Sequence, residues 1–294
     1  MRWPAEAIWE TVAPKLAGFT VEVLPEIGST NTELMQRART GRTEPLLLVA
    51  ERQTAGRGRL GRQWHSLAEA GRAADTLAGG GPDLPALTFS LGLALAPRDW
   101  SGLSLAVGLA LAQALDPAGE RISLTWPNAL WVQGRKLAGI LVETAAFPEP
   151  ARQLDRPLLP HAGVPRREGG EGAAGRYTVV GVGINLAPPA AAGLSTPPAA
   201  LREWWPQAQA GQVLGLVLPA LVDALLAFEQ EGFAPLQAPY AARDLLREQP
   251  LRLSDGTEGR GAGVDASGAL LLDTAAGIQI VTSAEVSVRP LGGG

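Results

Sequence analysis

The chain has 294 residues, 46% of them hydrophobic, a formal net charge of −4 and no cysteine. That apolar content can bury a large core, which excludes disorder over the whole length, and the missing cysteines exclude disulfides, thiolate zinc sites and a cysteine nucleophile. The charge gives no general pull on a polyanion, and the two histidines, His65 and His161, leave a metal site or a Ser-His-Asp triad resting on one isolated residue.

Taken in chain order, the first ten residues carry an early arginine, two tryptophans and two glutamates, with no stretch resembling a signal peptide. Residues 21–24 and 46–50 read as short strands around a helix at 30–38, whose Ser/Thr/Asn opening suits a cap. A Gly/Arg segment follows, then a strand at 87–95, a Leu/Ala-rich helix at 103–115, a strand at 122–126 and a hairpin of 130–132 with 138–143 that turns at Gly134. Residues 177–185 read as another strand and 212–230 as a helix with an apolar face. The apolar stretches at 87–96 and 103–115 are too short to span a bilayer, so a soluble, cytoplasmic protein without membrane contact is expected.

Elements mixed without a regular βαβ repeat point to α+β. Residues 67–85 and 147–175 have the composition of loops or linkers, the first rich in Ala and Gly, the second in Pro, Arg and Gly. Beyond Pro250 the pattern changes to short strands at 251–253, 261–264, 269–273 and 279–282, separated by Asp-Gly, Ser-Gly and Ala-Gly turns, which is the pattern of a small β-barrel. The expected division is a catalytic domain over 1–245 and a small domain over 246–294.

Four segments carry candidate chemistry. In Gln53 to Trp64, three arginines (Arg57, Arg59, Arg62) alternate with three glycines (Gly56, Gly58, Gly61) after an apolar strand. The match to G-x-G-x-x-G is formal only, because the residues that follow are not an opening helix. Glycines let a backbone approach a ligand while guanidinium groups pair with carboxylate and phosphate oxygens, which suits a reaction between two anions; a solvated basic loop is the plain alternative. Gly28-Ser29-Thr30-Asn31 offers hydroxyls and an amide to a small polar ring, or simply caps a helix. Trp126-Pro127-Asn128 and Lys136 to Glu143 put one lysine in a hairpin of apolar residues, as a site group or an exposed turn lysine. In residues 179–185, Val-Val-Gly-Val-Gly-Ile-Asn, alternate glycines strip one face of a strand, for a ligand or for tight packing.

In this order and spacing, together with Phe228 to Phe233 and Ser267 to Leu272, these segments resemble the biotin–protein ligases over nearly the whole chain. The resemblance is to the monofunctional class that lacks an N-terminal DNA-binding domain, and it implies a biotin/lipoate ligase-like mixed sheet with a C-terminal SH3-like β-barrel. It implies ATP-dependent activation of biotin as biotinyl-5'-AMP and transfer to a lysine of a biotin carboxyl carrier protein, such as that of acetyl-CoA carboxylase. ATP with Mg2+ and biotin are the implied substrates, with no nucleic-acid partner, no protein-held metal and no covalent enzyme intermediate; the resemblance allows a homodimer through the main sheet.

Carried over by position, it implies that Ser29, Thr30 and Gln53 bond the biotin head group, with Gly56, Gly139, Leu141 and Gly181 shaping its slot. Arg57 and Arg59 would hold the carboxylate and the α-phosphate, Lys136 would stand at the reacting centre, and Trp64, Asn128 and Asn185 would lie near the adenylate. Two departures stand out: Thr125 and Ala129 flank Trp126-Pro127-Asn128 where the family has Lys and Asp, and both loop-like segments are long. Loss of that Asp bears on magnesium placement. A lipoate or octanoate ligase and a biotin binder without catalysis are the rival readings, separated by lipoate competition and by turnover.

Overall fold

A computed structural model describes residues 3–64, 84–147, 175–188 and 196–282, with the backbone of 288–290. His65, His161 and nearly all of the two loop-like segments lie outside the described residues. The elements are α1 (Ala5–Val12), β1 (Thr20–Ile27), α2 (Thr30–Arg39), β2 (Leu46–Gln53), a 3-10 turn at Arg59–Gly61, β3 (Ala86–Leu95), α3 (Leu103–Leu115), β4 (Ile122–Thr125), β5 (Ala129–Val132), β6 (Arg135–Ala146) and β7 (Arg176–Asn185). After them come α4 (Ala210–Glu231), α5 (Gln237–Ala241), β8 (Pro250–Leu253), β9 (Glu258–Val264), β10 (Leu270–Thr274), β11 (Gly277–Val281) and β12 (Val288–Pro290).

Seven strands form one mixed sheet in the order β1-β2-β3-β7-β6-β5-β4, antiparallel except for the β1–β2 pair. That parallel pair is the single βαβ unit, with α2 as its crossover. The expected α+β class therefore holds, and the second sheet, antiparallel in the order β11-β10-β9-β8-β12, begins at Pro250.

Helices cover the large sheet on both faces, which explains why β3 reads as an apolar run without alternation: its neighbours are β2 and β7, and nearly all of it is buried. On one face α3 and α4 pack against Leu124, Leu130, Ile140, Val180 and Val182 in the main core. Such side chains contribute about 1.5–3 kcal/mol each when fully buried. On the other face a smaller cluster of Leu34, Met35 and Ala38 from α2 meets Leu48, Tyr177 and Val179. This second face also carries the polar groups described below.

Helix α4 has 22 residues and is apolar enough to cross a membrane by length and composition. Its buried residues, among them Val213, Val217, Leu221 and Leu225, instead belong to the main core beside α1 and α3, the environment of a core helix. Gly134, at φ 73°, makes the β5–β6 turn as expected.

The two sheets are joined through specific contacts. Leu124 of β4 accepts from Leu245 N at 2.9 Å and donates to Arg243 O at 2.7 Å, so the chain leading to β8 pairs with the end strand of the large sheet. Trp126 Nε1 donates to Gly268 O at 3.1 Å, and a Cβ placed at Gly268 would lie 2.7 Å from Gly102 Cα, at the start of α3.

Candidate active site

Ser29 begins α2 as its cap, accepting from Thr32 N at 3.4 Å, so the hydroxyl expected at a ligand also closes a helix end. Behind it lies a chain of buried polar groups. Gln53 Oε1 accepts from Thr30 N at 2.8 Å and lies 3.2 Å from Thr30 Oγ1. Ser90 Oγ stands 2.7 Å from Thr30 Oγ1 and 2.6 Å from Asn31 Oδ1. Asn31 Nδ2 donates to Leu141 O at 3.2 Å and to Glu143 Oε2 at 3.0 Å, and these two acceptors fix the direction of its amide.

A serine hydroxyl has one proton, so Ser90 can donate to only one neighbour. Donation to Asn31, with Thr30 donating to Ser90, uses the two shorter contacts. Polar groups so buried are held in one arrangement because each unmade hydrogen bond costs about 1–3 kcal/mol.

Beside this chain, glycines bare the sheet. Gly139 of β6 and Gly183 of β7 are register partners, as are Leu141 and Gly181. A Cβ at Gly183 would lie 2.3 Å from Trp64 Cε2, one at Gly139 would lie 3.3 Å from Trp64 Cζ3, and one at Gly181 would lie 2.0 Å from Asn31 Oδ1. The bare face is thus matched to an indole and an amide from this chain. Trp64 Nε1 is buried with no hydrogen-bond partner among the described residues, a donor left over in the site.

The Gly/Arg segment runs over this floor as a narrow hairpin. Gly58 N donates to Arg62 O at 2.7 Å and Trp64 N to Gly56 O at 2.9 Å, with Leu60 at φ 55° in the turn. A Cβ at Gly56 would lie 2.5 Å from Trp64 O, which is the steric reason for glycine there.

The hairpin brings its cations to Lys136. Burial, with repulsion from Arg62 added, holds the Lys136 ammonium below the ordinary lysine value, and the same two causes lower Arg59. Lys136 Nζ also lies 6.0 Å from the Trp64 ring centroid. The Lys136 backbone is pinned on both sides: its N–H donates to Pro197 O at 2.9 Å, and its carbonyl accepts from Ala199 N at 2.9 Å and from Asn185 Nδ2 at 3.2 Å. A lysine so placed is no exposed turn residue.

The expected site residues converge on this one face, with differences in detail. Arg57 reaches toward Thr32 Oγ1 at 3.5 Å and Glu143 Oε1 at 3.6 Å. Asn128 donates to Ile140 O at 2.6 Å and Asn185 also to Ala199 O at 3.0 Å, so both amides brace strands around Lys136. Trp126 turns to the core and Gly268 rather than to the site. Ser90 belongs to the site although nothing in the sequence singled it out; Asn31, Arg62 and Glu143 stood within the named segments but were not carried over as site residues. For Ser90 the available signal was a hydroxyl, two residues after that of Thr88, inside an otherwise apolar strand.

Chemically, the arrangement offers buried amide and hydroxyl groups at one end, a glycine floor beneath the Trp64 indole in the middle and clustered cations at the other. It suits a ligand with a polar ring, an apolar body and an anionic end.

Comparisons with known proteins agree. A family model described as the biotin/lipoate A/B protein ligase family matches residues 15–74, and one described as the biotin protein ligase C-terminal domain matches residues 251–289. A biotin–[acetyl-CoA-carboxylase] ligase of Paracoccus denitrificans is 32% identical over 276 residues, covering 90% of this chain and 98% of that one. The bifunctional ligase/repressor BirA of Escherichia coli (strain K12) is 31% identical over 286 residues, covering 94% of this chain and 76% of that one. The structure of a biotin protein ligase from Aquifex aeolicus in complex with biotin and ATP has a TM-score of 0.66 at 24% identity, over 92% of this chain and 99% of that one, a likeness of fold.

Proposed function

Since the chain belongs to the biotin–protein ligase family, we propose that it activates biotin with ATP and transfers the biotinyl group to a lysine of a biotin carboxyl carrier domain. The relative named for acetyl-CoA carboxylase supports that enzyme's carrier domain as the acceptor. In the first step a biotin carboxylate oxygen bonds to the α-phosphorus and the bond to the bridging oxygen breaks, releasing pyrophosphate. In the second the carrier ε-amine attacks the acyl carbon, AMP leaves and the amine gives up a proton.

The observation that carries the reading is the half-buried Lys136, destabilised as a cation by desolvation and by Arg62. Placed there, it gains most when an anion arrives, and it offsets the charge that builds as carboxylate meets phosphorus. Arg57 and Arg59 bind carboxylate and α-phosphate, while Ser29, Thr30 and Gln53 take the ureido ring. Trp64, Asn128 and Asn185 line the adenylate end. The buried hydroxyl and amide groups favour that polar ring over the fatty chain of lipoate or octanoate.

Mg2+ enters on ATP. Its phosphate oxygens would hold the ion, and Ala129, where the family has Asp, offers it no carboxylate; no three His, Cys, Asp or Glu cluster among the described residues. We place the division between the catalytic domain, 1–245, and the small domain, 246–294, just before β8, and the enzyme in the cytoplasm, which its lack of cysteine supports.

The test is biotin-dependent pyrophosphate release from MgATP, with and without a carrier domain, in the wild type and Lys136→Ala, with lipoate as competitor. Release that needs biotin, collapses in the variant and is followed by carrier biotinylation is the expected result. Biotin binding without release would replace the ligase reading by that of a binder without catalysis.

A further inference from the structure

We propose that Glu143 tunes the affinity for the carboxylate end of the ligand, acting as an internal carboxylate that the substrate's own must displace from Arg57. The proposal rests on the assignment of Arg57 to the biotin carboxylate.

Glu143 lies on β6 two residues beyond Leu141, and the β6–β7 register pairs it with Val179 on the face that carries α2. Its two oxygens do different work. Oε2 accepts from Asn31 Nδ2 at 3.0 Å, and Asn31 is 3% exposed, held also by Leu141 O and Ser90 and packed against Gly181. This end of the carboxylate is therefore anchored to a group that cannot swing away. Oε1 faces Arg57 Nη1 at 3.6 Å, beyond a good hydrogen bond. Among the described residues the one hydrogen bond of Arg57 is to Thr32 Oγ1, at 3.5 Å, the outer limit of such contacts.

Arg57 is thus held by charge rather than by a two-pronged clasp, and its side chain is 51% exposed. Such a pairing is cheap to exchange. An incoming carboxylate can offer the guanidinium two oxygens at hydrogen-bonding distance where Glu143 offers one oxygen at a greater distance. A neutral ligand has nothing to offer in that exchange, so Arg57 stays with Glu143. Glu143 thereby lowers the affinity for acids by the strength of its own attraction to Arg57, and it keeps the arginine beside the slot before the ligand arrives.

Glu143→Gln separates the two roles, because its amide oxygen still accepts from Asn31 while the charge on Arg57 is removed. By titration calorimetry, the variant should bind biotin about two- to fivefold more tightly, the range for a half-exposed ion pair. Its affinity for biotin amide, which lacks the charge, should be unchanged. In an Arg57→Gln background the same substitution should give no gain, as a double-mutant cycle requires of a pairwise effect.

Equal weakening of biotin and biotin amide would assign Glu143 to the support of Asn31 alone and overturn the proposal. So would unchanged binding, or a gain that persists without Arg57, which would reflect the general field of the site. Wild-type protein that binds neither ligand would overturn the ligase reading itself, and a wild type that binds with an unchanged Glu143→Gln would overturn only this inference.

Discussion

A methyl group at position 181 would lie 2.0 Å from Asn31 Oδ1, and Asn31 has nowhere to move, because its amide is committed to Leu141 O and Glu143. Gly181→Ala should therefore cost about 1–3 kcal/mol in thermal or denaturant unfolding, as overpacked cores do. It should also weaken biotin binding by about tenfold or more, since the chain from Asn31 through Ser90 to Thr30 and Gln53 is displaced with it. Calorimetric titration of biotin checks the second half.

Lys136 gives a prediction in pH. Burial, and after it repulsion from Arg62, disfavours its ammonium, so the proton leaves Lys136 at lower pH than from an ordinary lysine. Biotin-dependent pyrophosphate release should fall on an alkaline limb below the usual lysine range, and Arg62→Gln should move that limb to higher pH. A limb that stays in place or moves down would show that another group controls it.

Residues such as Lys136, Thr30 and Gln53 were legible because each interrupts a pattern: a cation in an apolar hairpin, or polar groups at the ends of strands. Ser90 and Glu143 were not, and the Asn31 amide was read as offered to a ligand rather than to Glu143, because their meeting depends on bringing α2, β3 and β6 together across 59 and 112 residues of sequence. No local spacing encodes that.

Among the elements, α3 ends where Asp116 gathers the chain. Its carboxylate accepts from Ile122 N and Arg121 N at 2.9 Å each and from Glu120 N at 3.3 Å, and it pairs with Arg243 at 3.2 Å. The side chains of Asp116 and Arg243 are only 7% and 8% exposed. Burial would raise the carboxyl, but the three backbone donors and Arg243 outweigh it and hold the group below the ordinary aspartate value.

A folded-state pKa below the unfolded one stabilises the protein above the unfolded value, and that stability is lost as pH falls through the folded value. Asp116→Ala should destabilise by about 3–5 kcal/mol near neutrality, because Arg243 is left buried and unpaired. In unfolding curves the gap between variant and wild type should narrow below about pH 4. A constant gap would locate the loss in packing instead.

Most elements were readable from periodicity, with ends displaced by one to three residues at the strands. Helix α1, short and opened by Pro4 without a side-chain cap, carries no strong start signal. The β1–β2 pairing sense was also hidden, because a crossover of one helix looks in sequence like any strand–helix–strand run.

On the scale of the molecule, the two-faced cover of the large sheet separates support from chemistry. Helices α3 and α4 fill one face with apolar side chains, while α2 and the Gly/Arg hairpin share the other with the polar chain and the cations. The small sheet adheres to the opposite end through Trp126, Gly268 and the pairing of Leu124 with residues 243–245.

The β6–β7 register runs from Ala138↔Ile184 to Ala146↔Arg176 without a break. Its last pair closes the long segment at the base, so the length of what lies between Ala146 and Arg176 is almost free of thermodynamic consequence. Each doubling or halving of such a connection changes the closure entropy by only about 0.6 kcal/mol. Replacing residues 148–174 with a short Gly/Ser link should therefore change the unfolding free energy by no more than about 1–2 kcal/mol, and a larger loss would reveal contacts of its own. The same base makes this junction a natural port for foreign sequence: a guest domain spliced there enters on one strand and leaves on its hydrogen-bonded neighbour, and the host sheet is already zipped beneath it.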